Sequence, residues 1–376
     1  MSQLNRHDNL GFLIFIFSFS IVTSAQTVGP DSWPSYRGDP ALTGKSPAVI
    51  NPPLKLLWSF KTGDAIKSSP VMVNNMIFIG SNDGFLYAIT SRGQLKWKFN
   101  AKTALEASPL YLDNTIYIGS LEGVLFAVDA GNGTLKWKYS TEGQISGSAN
   151  WTVGMDKKQK RILTGSYDFN LHCVDASTGK LIWKFETGNY INGSPSINGN
   201  QAVFGGCDGF LHIVNLDDGK AIDNIEIGDY IPASAAIRGD RAFFGNYDGT
   251  FYCADLKSKK VIWKTGGGGP FLSSPAISGD KVFGGSQNHY LYCYNASTGT
   301  LLWKYKALGK VDSSPVIIGG NVLIASGDGR LHLLDIITGK EVWNYEIGCP
   351  LTSTPAVTSN LIVIGGEDGR VYGFGK

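Results

Sequence analysis

The chain has 376 residues, and its 33 Lys and Arg against 31 Asp and Glu leave a formal charge of +2. This balance excludes the broad basic surface by which proteins bind nucleic acid or anionic lipid, apart from one short basic run at residues 157–161 (KKQKR). Gly is abundant at 48 residues and spread along the chain, which predicts many short strands joined by tight turns.

An apolar run occupies residues 10–22, behind a short start that carries Arg6. Small residues follow at Ser24 and Ala25, where a signal peptidase would cut. The run is shorter than the ~20 residues that a membrane-spanning helix needs. We therefore predict a signal peptide over residues 1–25 and a periplasmic or secreted protein without a membrane span after cleavage. A retained N-terminal anchor is the alternative.

Residues 26–53 contain Pro and Gly and show no helical period. The stretch WPSYRGD, which begins at Trp33, is typical of an extended segment anchored by aromatic side chains. We predict that this segment packs on the outside of a single domain formed by residues 54–376.

That domain is a repeat with a period of about 40 residues. Its marker is a Pro or Ala that follows a small residue. The marker occurs eight times, at Pro70, Pro109, Ala149, Pro195, Ala235, Pro275, Pro315 and Pro355. Each copy holds apolar runs separated by Gly, Asp, Asn and Thr, as antiparallel turns require. Only slim side chains precede the marker, which suits strands that converge on an axis. The pattern predicts an all-β, eight-bladed propeller of four-stranded antiparallel blades.

A Trp recurs on the fourth strand of seven copies, and Asp223 interrupts the series. We predict that these indoles bridge adjacent blades: Trp58, Trp97, Trp137, Trp183, Trp263, Trp303 and Trp343. The last copy ends at Lys376 without a Trp strand, whereas the strand around Trp58 precedes the first copy. Pairing the two would close the last blade and remove its free edge.

Strand alternation assigns the loops to two faces. The top face carries the loop before each first strand and the turn between the second and third strands, and the bottom face carries the other connections. The residue three positions before the marker differs between the copies, which predicts a rim that binds a ligand or partner. A solvated rim is the alternative. The candidate residues are Lys67, Glu106, Ser146, Asn192, Asp312 and Thr352. Asn288 and His289 are further candidates, because His289 replaces the Gly of the turn between the second and third strands.

No catalytic or metal-binding cluster stands out in the sequence. Acids recur at the turn between the second and third strands, but turn hydrogen bonding explains them better than a metal. Three of the five cysteines (Cys173, Cys253 and Cys293) occupy a position that other copies fill with Ala or Leu, so we predict buried thiols and no disulfide. The basic run at residues 157–161 is predicted as a solvated loop, with a docking knob for an acidic partner as the alternative.

The sequences DASTGKLIW, ending at Trp183, and DIITGKEVW, ending at Trp343, resemble the tryptophan-docking motif of quinoprotein-type (PQQ-like) repeats. The resemblance covers about residues 33–376. This family includes PQQ-dependent alcohol dehydrogenases and also a non-catalytic scaffold, the B subunit of the outer-membrane β-barrel assembly machinery. The dehydrogenases hold their quinone with Ca²⁺, a catalytic Asp, a stacking Trp and a disulfide between adjacent cysteines.

This chain departs from both kinds of relative. It has no adjacent Cys pair, and its one Trp near the predicted axis, Trp151, stands where other copies have Met72, Tyr111 and Ile197, which favours a core role. The scaffold subunit is a lipoprotein, whereas no Cys follows the apolar leader here.

We therefore predict an exported, monomeric, non-catalytic propeller that binds a protein partner in the cell envelope without a cofactor or metal. The alternatives are a PQQ-dependent oxidoreductase that uses calcium, and a carbohydrate- or cell-wall-binding propeller.

Overall fold

The computed structural model describes residues 29–376, so the predicted signal peptide lies outside the described residues. This part of the chain forms 33 strands arranged in eight sheets around one axis. It contains no helix that is long and apolar enough to cross a bilayer. The predicted eight-bladed all-β propeller is confirmed.

Each blade consists of four antiparallel strands in sheet order, and the first strand lies at the axis, where the first strands of neighbouring blades contact one another. The strands of blades 1 to 4 are β3 (Val71–Val73), β4 (Met76–Gly80), β5 (Phe85–Thr90), β6 (Leu95–Asn100); β7 (Leu110–Leu112), β8 (Thr115–Gly119), β9 (Val124–Asp129), β10 (Leu135–Ser140); β11 (Asn150–Val153), β12 (Lys160–Gly165), β13 (Asn170–Asp175), β14 (Leu181–Glu186); and β15 (Ser196–Asn198), β16 (Gln201–Gly205), β17 (Phe210–Asn215), β18 (Ala221–Glu226). Those of blades 5 to 8, with the two N-terminal strands, are β19 (Ala236–Arg238), β20 (Arg241–Gly245), β21 (Thr250–Asp255), β22 (Lys260–Gly266); β23 (Ala276–Ser278), β24 (Lys281–Gly285), β25 (Tyr290–Asn295), β26 (Leu301–Lys306); β27 (Val316–Ile318), β28 (Asn321–Ala325), β29 (Arg330–Asp335), β30 (Glu341–Glu346); β31 (Ala356–Val357), β32 (Ile362–Gly365), β33 (Arg370–Gly375); and β1 (Lys45–Ser46), β2 (Lys55–Lys61).

The ring closes as the sequence predicts. The N-terminal strand β2 pairs antiparallel with β33, from Lys55 opposite Gly375 to Lys61 opposite Arg370. Blade 8 therefore takes its outermost strand from the beginning of the domain and its other three from the end. Strand β2 covers the edge of β33 that would otherwise be unpaired.

The apolar core lies between blades. One cluster joins Phe78 and Leu86 of blade 1 to Ile116 and Ile118 of blade 2, and equivalent clusters fill the other junctions. Each sheet thus covers its two apolar faces by stacking on its neighbours, as expected for repeats that cannot bury a core alone.

The first strands are shorter than the sequence suggests. The sixth copy opens with the run SSPAI at Ser273, but its first strand, β23, begins only at Ala276, after Pro275. Pro has no N–H to donate to a ladder. The backbone N–H of Ser274, just before it, donates to the hydroxyl of Ser314 in the next blade, at 2.9 Å.

Each of the seven docking indoles donates its Nε1–H to a backbone carbonyl of the next blade, at 2.9–3.3 Å. The Trp303 ring also lies against Gly339 in the bottom-face turn of blade 7, where an added Cβ would stand 2.6 Å from a ring atom. Gly339 has a φ of +68°, so this turn needs Gly for its backbone and for the close approach of the indole.

The junction between blades 4 and 5 departs from this rule on both sides. Asp223 replaces the Trp, and Lys259 stands at the turn position that six of the other junctions fill with Gly. The two side chains form an ion pair of 3.2 Å. Since both partners are more than a third exposed, this pair stabilises the junction far less than a packed indole does.

The predicted position of the N-terminal segment is wrong. Residues 30–46 do not pack on the outside but run along the axial channel, bonded to an inner strand or inner loop of every blade. The bonded residues are Ser359, Met72, Tyr111, Asn150, Ile197, Ile237, Ile277 and Ile317, for blade 8 and then blades 1 to 7 in order. The segment ends in β1, which adds a fifth, parallel strand to the axial edge of β27.

The indole contact at Trp303 gives a direct test of blade docking. Replacing it by Ala in Trp303→Ala removes a half-buried ring and its hydrogen bond to Ile336, which we expect to cost about 3 kcal/mol and to lower the melting temperature by several degrees. The control is Leu302→Ala, since Leu302 is a neighbour on the same strand and 44% exposed. A melting curve unchanged by Trp303→Ala would contradict the docking role.

Candidate functional site

An axial funnel opens on the top face. Its volume is about 190 Å³, and it is lined by all eight variable rim positions and by the small residues below them. Six of the rim positions are predicted candidates, and Pro232 and Leu272 complete the circle: Lys67, Glu106, Ser146, Asn192, Pro232, Leu272, Asp312 and Thr352. The structure brings these six candidates together around one cavity; their role in binding stays a prediction.

A closed circle of hydroxyl groups forms the inner wall of the funnel. In each blade the residue before the marker donates its backbone N–H to the hydroxyl of the equivalent residue in the next blade, at 2.8–3.2 Å. The circle runs through Ser69, Ser108, Ser148, Ser194, Ser234, Ser274, Ser314 and Thr354, and then returns to Ser69. The recurring Ser is therefore a blade-to-blade acceptor as well as a slim residue.

The N-terminal segment closes the funnel from below. The Tyr36 hydroxyl hydrogen-bonds with the hydroxyls of Ser274 and Ser314, at 3.1 and 3.0 Å, and forms the floor. Arg37 is fully buried next to it and donates from Nη2 to the Pro275 carbonyl, at 2.7 Å. Burial lowers the pKa of the Arg37 guanidinium to about 10, so the group stays charged at neutral pH. Sequence reasoning missed both residues because the segment has no counterpart in the repeats.

The funnel wall is polar and short of hydrogen-bond donors. Lys67 pairs with Glu106 at 2.8 Å, and this hydrogen bond raises the pKa of Lys67. Asp312 accepts only a long bond of 3.4 Å from Gln287, and burial raises the pKa of its carboxyl group. Among the described residues, Asp312 Oδ1, Asn192 Oδ1 and Ser146 Oγ are buried without a protein partner.

Asn288 and His289 lie outside the funnel. Asn288 donates from its side-chain amide to Gly267 and to the Tyr292 hydroxyl, both at 2.7 Å, so it holds its own turn together. His289 lines a separate top-face hollow near Lys310 and Thr352, with a φ of +75° in place of the usual Gly.

The recurring acids at the top-face turns act as turn residues. In six of the blades the Asp Oδ1 accepts the backbone N–H two residues along the chain. Asp168 and Asp208 also hold the side chains of His172 and His212. Nowhere in residues 29–376 do three His, Cys, Asp or Glu side chains come close enough to share a metal ion.

The funnel does not fit the quinone that the PQQ-dependent relatives hold. Within residues 29–376 no indole lines the funnel, and Trp151 is buried in the core between blades 2 and 3. The five cysteines, all within the described residues, are free thiols, so the disulfide of the dehydrogenases has no counterpart here. Among the described residues that line the funnel, only Lys67 is basic, and Glu106 already neutralises it.

The basic run at residues 157–161 is partly bound to the protein itself. Lys160 forms an ion pair of 2.5 Å with Asp113, and Arg161 donates to the Leu216 and Asp217 carbonyls of blade 4. Lys157 and Lys158 remain exposed, so the loop offers fewer free charges than its sequence suggests.

An exposed aromatic ledge adjoins the funnel on blades 3 to 5. It consists of Tyr167, Phe169, Tyr190, Tyr230 and Tyr247. Tyr167 is half-buried, and the other four side chains are exposed by 38% to 51%. The Tyr167 and Tyr190 rings stack with centroids 4.7 Å apart, and the Phe169 ring lies 5.3 Å from that of Tyr190.

Sequence reasoning missed this ledge, although the repeat contained its signal. Five residues before the marker, the copies in blades 4 and 5 carry Tyr190 and Tyr230, whereas blades 1 and 2 carry Ala65 and Ala104. That position accounts for two of the five rings, and the other three lie in the turns between the second and third strands.

Two family models match the sequence. The model described as "Beta-alanine-activating enzyme, beta-propeller" matches residues 145–375, and the one described as "Outer membrane protein assembly factor BamB" matches residues 49–153. No curated protein matches the sequence significantly.

Solved structures share the fold at low sequence identity. BamB from Moraxella catarrhalis is 18% identical over 86% of this chain and 98% of its own, with a TM-score of 0.73. The computationally designed Ika8 protein is 17% identical over 86% and 100%, with a TM-score of 0.73. Quinohemoprotein alcohol dehydrogenase from Comamonas testosteroni is 14% identical over 92% and 80%, with a TM-score of 0.76.

At these identities the structural likeness shows the fold alone. The sequence matches go further, because the first model spans more than half of the chain and the second adds its N-terminal part. The chain therefore belongs to the PQQ-like β-propeller family that these two models describe.

Proposed function

We propose that this protein is an exported, non-catalytic scaffold that binds a protein partner in the cell envelope through its top face. The observation that carries the proposal is the filled channel: residues 30–46 occupy the axis and leave a funnel of about 190 Å³. Sites for cofactors and drug-sized ligands usually measure roughly 300–1,000 Å³. A surface of loops around a small funnel suits a macromolecular partner better than an enclosed small molecule.

The charge of the funnel supports the same proposal. A quinone such as PQQ carries several carboxylates and needs bases or a divalent cation beside them. Glu106 and Asp312 line the funnel together with Lys67, so its formal charge is negative. This polarity disfavours an anionic cofactor.

The top face has the features of a recognition surface. A rigid frame of inner strands and hydroxyl bonds holds eight loops, and each loop presents a different side chain at the rim. One of the two matching family models describes an outer-membrane protein assembly factor. We propose a related role here, as a scaffold for the assembly of envelope proteins.

A photo-crosslinking residue at Gln144 tests this role, because Gln144 is exposed on the top face of blade 3. We expect it to crosslink the protein to one discrete protein partner in whole cells, since its loop borders the funnel. The matched control is the same crosslinker at Ser177, which is exposed in the bottom-face turn of the same blade. Equal crosslinking at both positions, or none at Gln144, would contradict a top-face scaffold.

The quinoprotein alternative predicts a different activity. When the purified protein receives PQQ, Ca²⁺, an alcohol or sugar and an artificial electron acceptor, we expect no dye reduction above that of the heat-denatured protein. Tryptophan fluorescence provides a second readout, because a bound quinone would quench nearby indoles. Dye reduction that depends on both PQQ and the folded protein would replace the scaffold proposal with an oxidoreductase.

A further inference from the structure

We propose that the top face binds an extended, arginine-containing basic segment of its protein partner along blades 3 to 5, with one cationic side chain entering the funnel. This inference deepens the scaffold function proposed above and rests on it. Three independent features of the top face support it: its charge, its exposed aromatic rings and the unpaired acceptors of the funnel.

The charge on the top face is strongly uneven. The top-face loops of blades 3 to 5 span residues 141–146, 166–169, 186–192, 206–209, 226–232 and 246–249, and they contain no Lys, Arg or His. Their acids are Glu142, Asp168, Glu186, Asp208, Glu226, Asp229 and Asp248, of which the Asp168 and Asp208 side chains are buried and bonded to His172 and His212. The other side of the same face, around blades 7, 8 and 1, is close to neutral, because its seven acids are offset by six bases: Lys61, Lys67, Lys306, Lys310, Arg330 and Arg370. A basic partner is therefore steered to blades 3 to 5.

The aromatic ledge lies within this acidic region. Tyr190, Tyr230 and Tyr247 each expose between 43% and 51% of their surface, and the Tyr230 and Tyr247 ring centroids are 6.5 Å apart. Guanidinium groups stack on such exposed ring faces, and nearby carboxylates pair with the same groups. Aromatic rings and acids together therefore favour Arg-containing segments over neutral or acidic ones.

The funnel supplies acceptors that lack donors. Asp312 Oδ1, Asn192 Oδ1 and Ser146 Oγ are buried and have no partner within the described residues, although buried polar atoms are nearly always hydrogen-bonded. The N–H groups of an Arg or Lys side chain would satisfy them, and Lys67, which lines the funnel, is already paired with Glu106. Asn192 stands two residues after Tyr190 on the same loop, so the ledge leads directly to the funnel.

The length of the ledge indicates the shape of the bound segment. Its rings lie on successive top-face loops and turns of three consecutive blades. They therefore form a row and not a pocket. A segment that contacts all of them while one side chain enters a funnel of about 190 Å³ must be extended.

A peptide-binding experiment tests the proposal on the purified protein, residues 26–376. The probe is a fluorescein-labelled peptide of about 12 residues that alternates Arg with Thr, and the comparison peptide has Glu in place of each Arg. We expect fluorescence anisotropy to show binding of the Arg peptide only, weakened at higher salt because the contact is partly electrostatic.

Charge reversal locates the site. Glu142→Lys with Asp229→Lys should weaken Arg-peptide binding about tenfold, because both side chains lie in the acidic region. The matched control is Asp218→Lys with Asp280→Lys, which changes the net charge equally on exposed bottom-face turns. We expect the control to bind within about twofold of wild type.

Two further variants separate the ledge from the funnel. Tyr190→Ala with Tyr230→Ala should weaken binding about fivefold through loss of stacking, and Asp312→Asn should weaken it through loss of the half-buried carboxylate. Because the two Tyr side chains are exposed, the melting temperature should stay near that of wild type, which confirms that these variants fold.

Several results would overturn the inference. They are no binding by wild type, equal binding of the Glu peptide, equal loss in the bottom-face control, or displacement of the peptide by a neutral oligosaccharide such as chitohexaose. If a Gln144 crosslink to a protein forms while the peptide results fail, the basic-segment inference falls and the scaffold function stands. If no crosslink forms, the scaffold function itself falls.

Discussion

The hydrogen bonds from backbone N–H to hydroxyl around the axis are the constraint on which the rest of the structure depends. One such bond joins each blade to the next, which makes eight in all. The bond from the Thr354 N–H to the Ser69 hydroxyl joins the last blade to the first. Only a small hydroxyl residue both fits near the axis and accepts this bond, which explains why Ser recurs at that position. The circle fixes the spacing of the blades, and this spacing limits the width of the funnel above it.

The filled channel then determines what kind of recognition the fold supports. Where the axis holds residues 30–46, with Arg37 fully buried and Tyr36 as the floor, a large ligand has no room to enter. Binding is left to the top-face loops, which differ from blade to blade while the frame beneath them repeats.

Sequence reasoning found the features that repeat and missed those that occur once. Eight copies gave the blade number, and the unpaired strand around Trp58 gave the closure, because both follow from comparing copies. The segment around Tyr36 could not be placed, since nothing in WPSYRGD distinguishes an outer surface from the inside of a channel. The funnel rim could be predicted because strand alternation puts Lys67 and its equivalents at one height. The aromatic ledge arises because neighbouring blades depart from the repeat pattern at adjacent positions. The Asp223–Lys259 pair likewise joins two departures from the pattern, one in each of two neighbouring blades.

The occupation of the axial channel by residues 30–46 is the central claim, and amide hydrogen exchange measured by mass spectrometry tests it most directly. The account predicts slow exchange of the first-strand amides that donate to carbonyls of residues 30–46, which are those of Met72, Tyr111, Ile197, Ile237, Ile277 and Ile317. Rapid exchange of these amides beside protected second and third strands would contradict it, because the channel would then be open to water and to a ligand.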